Sequence, residues 1–260
     1  MRSPAVSVLM PVNNGALFLA EAIESVWSQG FTDLELVVVD DASNDETPSI
    51  LDGMDDPRLR RIRLNRRTGL PGALNAGLEA CRAPLVARLD SDDRCLVSRI
   101  PRQVEAMERR PSLVALGSSA LLIDVGGRTT NRRNVPTGST AVLRRLRWRN
   151  ALIHPSVMFR RDAVTTLGGY SPAAARFEDY ELWLRLATVG EMDNLGEPLI
   201  AYRVHPNQVS SAKITDLTAF DVVGNARNAL ARFRGESVVL SKWRQGVWTR
   251  AQHWGDRRRR

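Results

Sequence analysis

Four short apolar segments, each followed by turn residues and a segment with helical spacing, fill the first ninety residues of the chain. They are VSVLM at 6–10, LELVVV at 34–39, RIRL at 61–64 and LVARL at 85–89. Alternating strand and helix signals with nearly continuous apolar strands are typical of a mainly parallel sheet that helices cover on both faces. The pattern SNDE at 43–46 is a capping box and predicts a helix start there. The sequence therefore predicts an α/β fold.

The pattern changes after about residue 113. Extended segments surround a turn at Gly126 and Gly127. The later signals are a strand at 156–160, a helix at 178–190, a strand at 198–206 and helical spacing over 215–255. We therefore predict one α/β domain over 1–211, with a first half at 1–112 and a second half at 113–211. A helical, basic tail is expected over 212–260.

Length and composition fit this organisation. A chain of 260 residues with 43% hydrophobic content is long enough for one large domain with a full core. The sequence has no run of about 18 apolar residues, so no membrane span is predicted. The N-terminus lacks the pattern of a signal peptide. Cys81 and Cys95 stand apart without metal-ligand spacing, which suits a reducing compartment and argues against structural zinc. We therefore expect a cytoplasmic protein.

The net charge of +8 is concentrated near the end of the chain, because residues 242–260 contain seven Lys or Arg and one Asp. Trp243, Trp248 and Trp254 alternate with these basic residues, and the chain ends in Arg257 to Arg260. Such a segment is compatible with peripheral contact on an anionic membrane, although a solvated tail explains it almost as well. No signature of specific nucleic-acid binding accompanies the basic residues.

Two acidic clusters follow predicted strands. Asp40 and Asp41 end the second strand, and Asp90, Asp92 and Asp93 follow the fourth. In a parallel sheet both clusters lie at the edge where ligands bind. A single Asp pair commonly caps a helix or tightens a turn. Three carboxylates within four residues repel one another, and a Mg²⁺ or Mn²⁺ ion that carries a diphosphate would relieve that repulsion.

Six ordered motifs carry a resemblance to a known family. They are VSVLMPVNNG, LELVVVDDASNDET, GLPGALNAGLEACRAPLVARLDSDD, IHPSVMFRR, GGY and FEDYELWLRLA. In this order they resemble the family 2 glycosyltransferases, which have the GT-A fold, and the resemblance runs from about Val6 to about Ser211. It implies a nucleotide-binding first half, an acceptor-binding second half and a nucleotide-sugar substrate.

The resemblance also implies roles for residues of the first half. Asp41 matches the aspartate that accepts a hydrogen bond from the donor base; uracil, thymine and guanine present a ring N–H, so UDP, dTDP and GDP sugars fit, with UDP favoured. Asp92 would lie near the ribose and the metal, and Asp93 would bind the metal. Asp90 corresponds to the first member of the Asp-x-Asp pair. The remaining donor-binding candidates are Pro11, Asn13, Arg67 and Asn75; for Arg67 an ordinary surface position is an equal alternative.

In the second half, Asp179 corresponds to the general base, with Glu178 beside it, and a single base implies inversion at the anomeric carbon. The alternative for Asp179 is an acidic residue that only favours a helix N-terminus. His154 matches a family position and is a candidate for the acceptor or donor pocket, although a lone histidine is often structural. Arg203 and His205 would reach the diphosphate or metal, with His205 a candidate metal ligand.

One departure affects the donor site. The family commonly has Pro-x-Tyr-Asn after its first strand, whereas this chain has Pro11-Val12-Asn13-Asn14. An aromatic group often found near the base is therefore missing, which puts base affinity or nucleotide choice in question.

The favoured function is a metal-dependent inverting glycosyltransferase that builds an envelope or secreted polysaccharide or modifies a lipid-linked acceptor. The alternative is a non-catalytic GT-A-like module that binds a nucleotide or glycan and assists a partner enzyme. A dinucleotide-dependent oxidoreductase is excluded, because Gly-x-Gly-x-x-Gly is absent after the first strand.

Overall fold

The structure is a computed structural model that describes residues 3–206, 208 and 218–258, with side chains described as far as residue 249. Its strands are β1 (Val6–Val12), β2 (Leu34–Asp40), β3 (Leu59–Arg63), β4 (Leu85–Arg88), β5 (Arg94–Cys95), β6 (Leu113–Ile123), β7 (Thr129–Arg133), β8 (Met158–Arg160) and β9 (Glu191–Arg203). Its helices are α1 (Ala16–Trp27), α2 (Thr47–Asp52), α3 (Gly69–Ala80), α4 (Arg99–Arg109), α5 (Ser139–Leu146), α6 (Arg161–Thr166), α7 (Glu178–Leu186), α8 (Thr218–Phe233) and α9 (Val238–Arg258).

Among the described residues the strands form one nine-stranded sheet in the order β3-β2-β1-β4-β8-β6-β9-β5, with β7 paired to β6. The β3-β2-β1-β4 part is fully parallel. Beyond it the sheet is mixed, because β8 runs antiparallel to both β4 and β6 while β9 runs parallel to β6. The predicted α/β class is confirmed, and the parallel character belongs to the first half of the chain.

Helices cover both faces of the sheet because its strands bury side chains on both sides. Val8 and Met10 of β1 join a core with Ile23 of α1, whereas Leu9, between them, packs in a second core with Leu74 of α3. Every residue of β1 and β2 is buried. The near-continuous apolar pattern of these strands follows from this two-sided burial.

One local prediction was wrong. The structure starts α2 at Thr47, and its N-terminal residue Glu46 makes no side-chain cap. The polar residues of the predicted capping box instead tie the loop to the end of β1. The Ser43 hydroxyl accepts a hydrogen bond from the Asn14 N–H at 2.9 Å, and an Asp45 carboxylate oxygen accepts from the Ala16 N–H at 3.1 Å.

The end of the chain folds back on α7. Phe177, Phe220 and Trp248 form an aromatic cluster with ring centroids 4.9–5.4 Å apart, so α8 and α9 pack against the start of α7. Trp248 is only 6% exposed, and the prediction that it lies on a membrane surface was wrong. The domain boundary proposed at residue 211 and the side chains of Trp254 and Arg257 to Arg260 lie outside the described residues.

Candidate active site

Three carboxylates meet in the loop between β4 and β5. Asp90, Asp92 and Asp93 each offer an oxygen within 4.8 Å of the others, a spacing that suits a single cation. Asp93 is 1% exposed; its Oδ1 accepts a hydrogen bond from the Arg203 backbone N–H at 2.7 Å, while its Oδ2 is buried without a hydrogen-bond partner. A buried carboxylate oxygen with no donor is suited to a metal ion.

The electrostatics of this cluster favour a bound cation. Burial raises the pKa of Asp93 well above its usual range, and the negative charges of Asp90 and Asp92 raise it further. Burial also raises the pKa of Asp90, against the opposing effect of the Arg88 charge. A divalent ion would offset the repulsion and hold the carboxylates ionised, because a nearby opposite charge favours the charged form.

The end of β9 fixes this loop. Arg203 Nε donates to the Asp92 carbonyl at 2.8 Å, Nη1 donates to the Val125 carbonyl at 2.9 Å, and the guanidinium also pairs with Glu21. His205 Nε2 lies 2.9 Å from Asp92 Oδ2. The structure therefore places His205 at the carboxylate cluster, whereas Arg203 braces the loop from behind.

Asp41 follows β2 and contacts the start of α3. Its Oδ1 accepts from the Thr68 N–H at 2.7 Å and the Thr68 hydroxyl at 2.9 Å, and its Oδ2 accepts from the Gly69 N–H at 2.8 Å. Asp41 thus holds the N-terminus of α3, and Oδ2 keeps capacity for one more donor. The Asn13 amide donates to the Asp41 carbonyl at 2.8 Å.

The remaining donor-site candidates occupy different surroundings. Pro11 lies inside β1 opposite Val39 of β2, and Arg67 is exposed beside the start of α3. The Asn75 amide holds the backbone of Tyr170: Nδ2 donates to the Tyr170 carbonyl at 2.8 Å, and Oδ1 accepts from the Tyr170 N–H at 2.8 Å. Asn75 therefore joins α3 to the loop that precedes α7.

A second carboxylate pair stands at the first turn of α7. Asp179 Oδ2 accepts from the Asn150 amide at 2.6 Å, and Oδ1 accepts from the Tyr180 N–H at 2.6 Å. Burial raises the pKa of Asp179. Burial, with a further contribution from the Asp179 charge, raises the pKa of Glu178 to about 7. Neighbouring carboxyl groups with raised pKa values are typical of acid–base sites.

Arg88 contacts one of the acidic groups and acts electrostatically on the other. It ends β4, is 1% exposed and forms an ion pair with Asp90. Its positive charge lowers the pKa of Asp93 in one group and of Glu178 and Asp179 in the other. The charge of one guanidinium therefore acts on both acidic groups.

His154 is part of the wall of this site. Its Nε2 lies 3.1 Å from the Tyr170 hydroxyl, and its ring packs edge-on against Trp183 at 5.8 Å. Burial, together with the Arg88 charge, lowers the pKa of His154 well below its usual range. The imidazole is therefore neutral at physiological pH.

Sequence reasoning missed three residues of this site, namely Arg88, Asn150 and Tyr170. Arg88 carried a signal, because it is the one charged residue inside the apolar run LVARL, and a charge in a strand buried on both faces requires a partner. Asn150 had no signal, since its place beside Asp179 depends on a loop packing against α7.

Comparisons with known proteins identify the family of the chain. A sequence model of the family "Glycosyl transferase family 2" matches residues 7–168, and the chain belongs to this family. It is 35% identical over 153 residues to the amylovoran biosynthesis glycosyltransferase AmsE of Erwinia amylovora, covering 58% of this chain and 57% of AmsE. It is 29% identical over 208 residues to the O-antigen biosynthesis glycosyltransferase WbnJ of Escherichia coli, covering 77% of this chain and 80% of WbnJ. The chain thus spans just over half the length of AmsE.

Solved structures show the same fold. Residues 1–349 of TarS from S. aureus, in complex with UDP-GlcNAc, superpose with a TM-score of 0.74 at 17% identity, covering 96% of this chain and 72% of that one. The mannosyltransferase PcManGT from Pyrobaculum calidifontis, in complex with GDP-Man and Mn²⁺, gives a TM-score of 0.61 at 19% identity, covering 96% and 74%. The expected GT-A fold is confirmed.

No described helix combines the length and the apolar content that crossing a membrane requires.

Proposed function

We propose that this protein is a metal-dependent inverting glycosyltransferase that transfers a sugar from a nucleotide sugar, with a UDP-sugar favoured, to a glycan or lipid-linked acceptor. The observation that carries the proposal is the Asp90, Asp92 and Asp93 cluster, with its unpartnered buried oxygen, in one site with the carboxylate pair of α7. The cluster suits a cation and a diphosphate, and the pair suits proton transfer.

Asp93 and Asp92 would hold a Mn²⁺ or Mg²⁺ ion, with His205 as a further candidate ligand. Both ions bind carboxylate oxygens as ligands, and the cluster offers three of them. The bound ion would stabilise the negative charge of the departing diphosphate. The Mn²⁺ complex of PcManGT supports this assignment through the shared fold.

Asp41 would hold the nucleotide base. Its Oδ2 accepts one backbone hydrogen bond and can accept a second from the ring N–H of uracil. Pro11, Asn13 and Arg67 would complete this side of the donor site. Asn75 would act indirectly, through the Tyr170 loop that it holds.

Asp179 would act as the general base, with Glu178 beside it. The acceptor hydroxyl loses its proton to an Asp179 carboxylate oxygen as its oxygen bonds to the anomeric carbon. The bond from that carbon to the phosphate oxygen breaks, and the diphosphate leaves with the electron pair. One displacement inverts the anomeric centre, and positioned bases contribute about 10²- to 10⁴-fold.

The acceptor class follows from the relatives. AmsE and WbnJ are named for amylovoran and O-antigen biosynthesis, so we propose polysaccharide biosynthesis in the cytoplasm. Residues 113–211 would bind the acceptor, with His154 in its wall, and residues 1–112 would bind the nucleotide. Residues 212–260 would form a basic, helical C-terminal segment, of which α8 and α9 pack against α7.

We also propose a peripheral membrane contact through α9. Val239, Trp243 and Val247 are spaced four residues apart and face solvent, with Val239 78% and Trp243 58% exposed. The exposed side chain of Lys242 lies on the same helix, and Trp148 packs edge-on against Trp243 at 5.6 Å. An apolar helix face with tryptophan and basic residues suits the surface of an anionic bilayer.

Binding and transfer assays on an Asp179→Asn variant test the proposed enzyme. Asparagine keeps the size of the side chain but does not accept a proton at neutral pH. Nucleotide-sugar binding in the presence of Mn²⁺, monitored by the shift in thermal unfolding, should remain as in the wild type. Transfer of the sugar to the acceptor should collapse. The exposed Asp52→Asn is the matched control. Equal transfer by wild type and Asp179→Asn would contradict the assignment of the base, and tight binding without transfer by the wild type would favour the non-catalytic module.

A further inference from the structure

Arg88 has more hydrogen-bonding capacity than the protein uses. Its side chain is buried, yet Nε and Nη1 have no hydrogen-bond partner, and only Nη2 reaches a carboxylate, that of Asp90. Arginine presents five N–H donors, and buried donors in native proteins are almost always paired. A buried guanidinium in which two nitrogens have no hydrogen-bond acceptor indicates that a polar ligand binds to it.

Glu178 shows the complementary deficit. One carboxyl oxygen is held by the backbone N–H groups of Arg176 and Glu178, whereas Oε2 is buried without a partner. Arg88 is close enough for its charge to lower the pKa of Glu178. Nevertheless, none of the ion pairs in the described part of the chain joins Arg88 to Glu178 or Asp179. Arg88 and Glu178 are therefore two buried groups of opposite charge type, each with polar atoms that have no hydrogen-bond partner in the described part of the chain.

The position of Arg88 identifies that group. On one side it holds Asp90, a member of the cluster proposed to bind the metal and the diphosphate. On the other side stand Glu178 and the proposed base, Asp179. In a direct displacement the transferred sugar lies between the diphosphate and the base, because both act on its anomeric carbon. A sugar also offers what the two residues lack, which is hydroxyl oxygens that both accept and donate hydrogen bonds.

We propose that Arg88 and Glu178 form the subsite for the transferred sugar, in which the Arg88 guanidinium donates to a sugar oxygen and the Glu178 Oε2 accepts from a sugar hydroxyl. This inference rests on the proposed function. The subsite selects a sugar with neighbouring hydroxyl groups, because a deoxy sugar would leave a buried charged group unpaired. In the competing interpretation Arg88 only braces Asp90, which would support the metal site and make no contact with the sugar.

The affinity of the sugar diphosphate relative to the bare diphosphate separates these interpretations. The probes are UDP, UDP-glucose, UDP-N-acetylglucosamine, GDP and GDP-mannose, each measured by calorimetry with Mn²⁺. For the wild type, at least one sugar nucleotide should bind more tightly than its bare diphosphate. Arg88→Gln should reduce that ratio about 10- to 100-fold.

Arg88→Lys and Glu178→Gln are the companion variants. Lysine keeps the charge beside Asp90 but lacks the planar guanidinium. Arg88→Lys should therefore reduce the ratio of the two affinities as Arg88→Gln does. It replaces Arg88→Gln in the experiment if that variant does not fold. Arg160→Gln controls for the loss of a partly buried arginine, since Arg160 bonds only to the carbonyls of Leu113 and Met107. It should leave the ratio unchanged.

Two results would overturn the inference. If the ratio is unchanged and neither affinity falls in the Arg88 variants, Arg88 makes no contact with the sugar. If the affinities for sugar nucleotide and bare diphosphate fall by the same factor, Arg88 only braces the metal site. A wild type that binds none of the nucleotides is a different result, because it removes the proposed function itself and the subsite with it.

Discussion

His205 and Asp92 are 113 residues apart in the chain, yet the imidazole Nε2 lies 2.9 Å from the carboxylate Oδ2. The contact exists because β9 runs between β6 and β5, and β5 directly follows the carboxylate loop. The segment that directly follows β9 therefore brings His205 to the carboxylate loop between β4 and β5. A His205→Ala variant should weaken the metal-dependent part of nucleotide binding less than the loss of Asp93 does.

Loss of the Asp93 charge should remove metal dependence. In the Asp93→Asn variant the side chain keeps its shape, but the buried oxygen no longer binds a cation strongly. A nucleotide sugar should stabilise the wild type against heat more with Mn²⁺ than in EDTA, and this difference should disappear in the variant. A ligand at about 100 times its dissociation constant contributes roughly 2.7 kcal/mol to the free energy of unfolding. The exposed Asp162→Asn is the control. Wild-type transfer that persists in excess EDTA would contradict metal dependence.

Glu178 should make the protein less stable at alkaline pH. Its pKa rises from the ordinary 4.5 to about 7 on folding, so the folded state retains a proton that the unfolded state releases. The free energy of unfolding therefore declines as the pH rises from the lower to the higher of those two pKa values. Above the higher value the total loss is on the order of 3 kcal/mol. Glu178→Gln should unfold at a higher urea concentration than the wild type at about pH 8. The two proteins should converge at about pH 4, and a gain of equal size at both pH values would refute the explanation.

Asn150 should set the pH at which the proposed base works. Its amide donates to Asp179 Oδ2 at 2.6 Å and lowers the pKa of that carboxyl, against the effect of burial. Asn150→Ala removes the donor, so the pKa of Asp179 should rise and the acid limb of the kcat/KM profile should move to higher pH by up to about one unit. Asn131→Ala, at an exposed position in β7, is the control. An unmoved acid limb would mean that another group controls it.

The α9 surface gives a prediction about membranes. Trp243→Glu places a charge at the centre of the exposed apolar face of α9 and should reduce recovery with anionic liposomes in a flotation assay. Val97→Glu is the matched control, because Val97 is 78% exposed in the segment that precedes α4. Equal flotation of wild type, Trp243→Glu and Val97→Glu would eliminate α9 as the contact.

The sequence predicted the strands of the first half well because each strand is buried on both faces and reads as an unbroken apolar run, as LELVVV does. It also predicted that Asp41 and the Asp90, Asp92 and Asp93 cluster follow the ends of parallel strands, because the topology carries those strand ends to one edge. Glu178 and Asp179 were indicated only by the family resemblance. The sequence could not show that Asn75 holds Tyr170 or that Asn150 bonds to Asp179. Those contacts join residues 95 and 29 positions apart through loops, and no local periodicity encodes them.

The register of β9 constrains recombination between relatives. Ala201 pairs with Arg94, and two residues later the Arg203 N–H bonds to Asp93, so the strand and the carboxylate loop are aligned residue by residue. Deleting one residue from β9 would turn the Arg203 side chain to the opposite face and leave Asp93 without its donor. A chimera that combines segments of two family members should therefore take β9 and the carboxylate loop from the same parent. Exchange of acceptor specificity is easier in segments that end before residue 190.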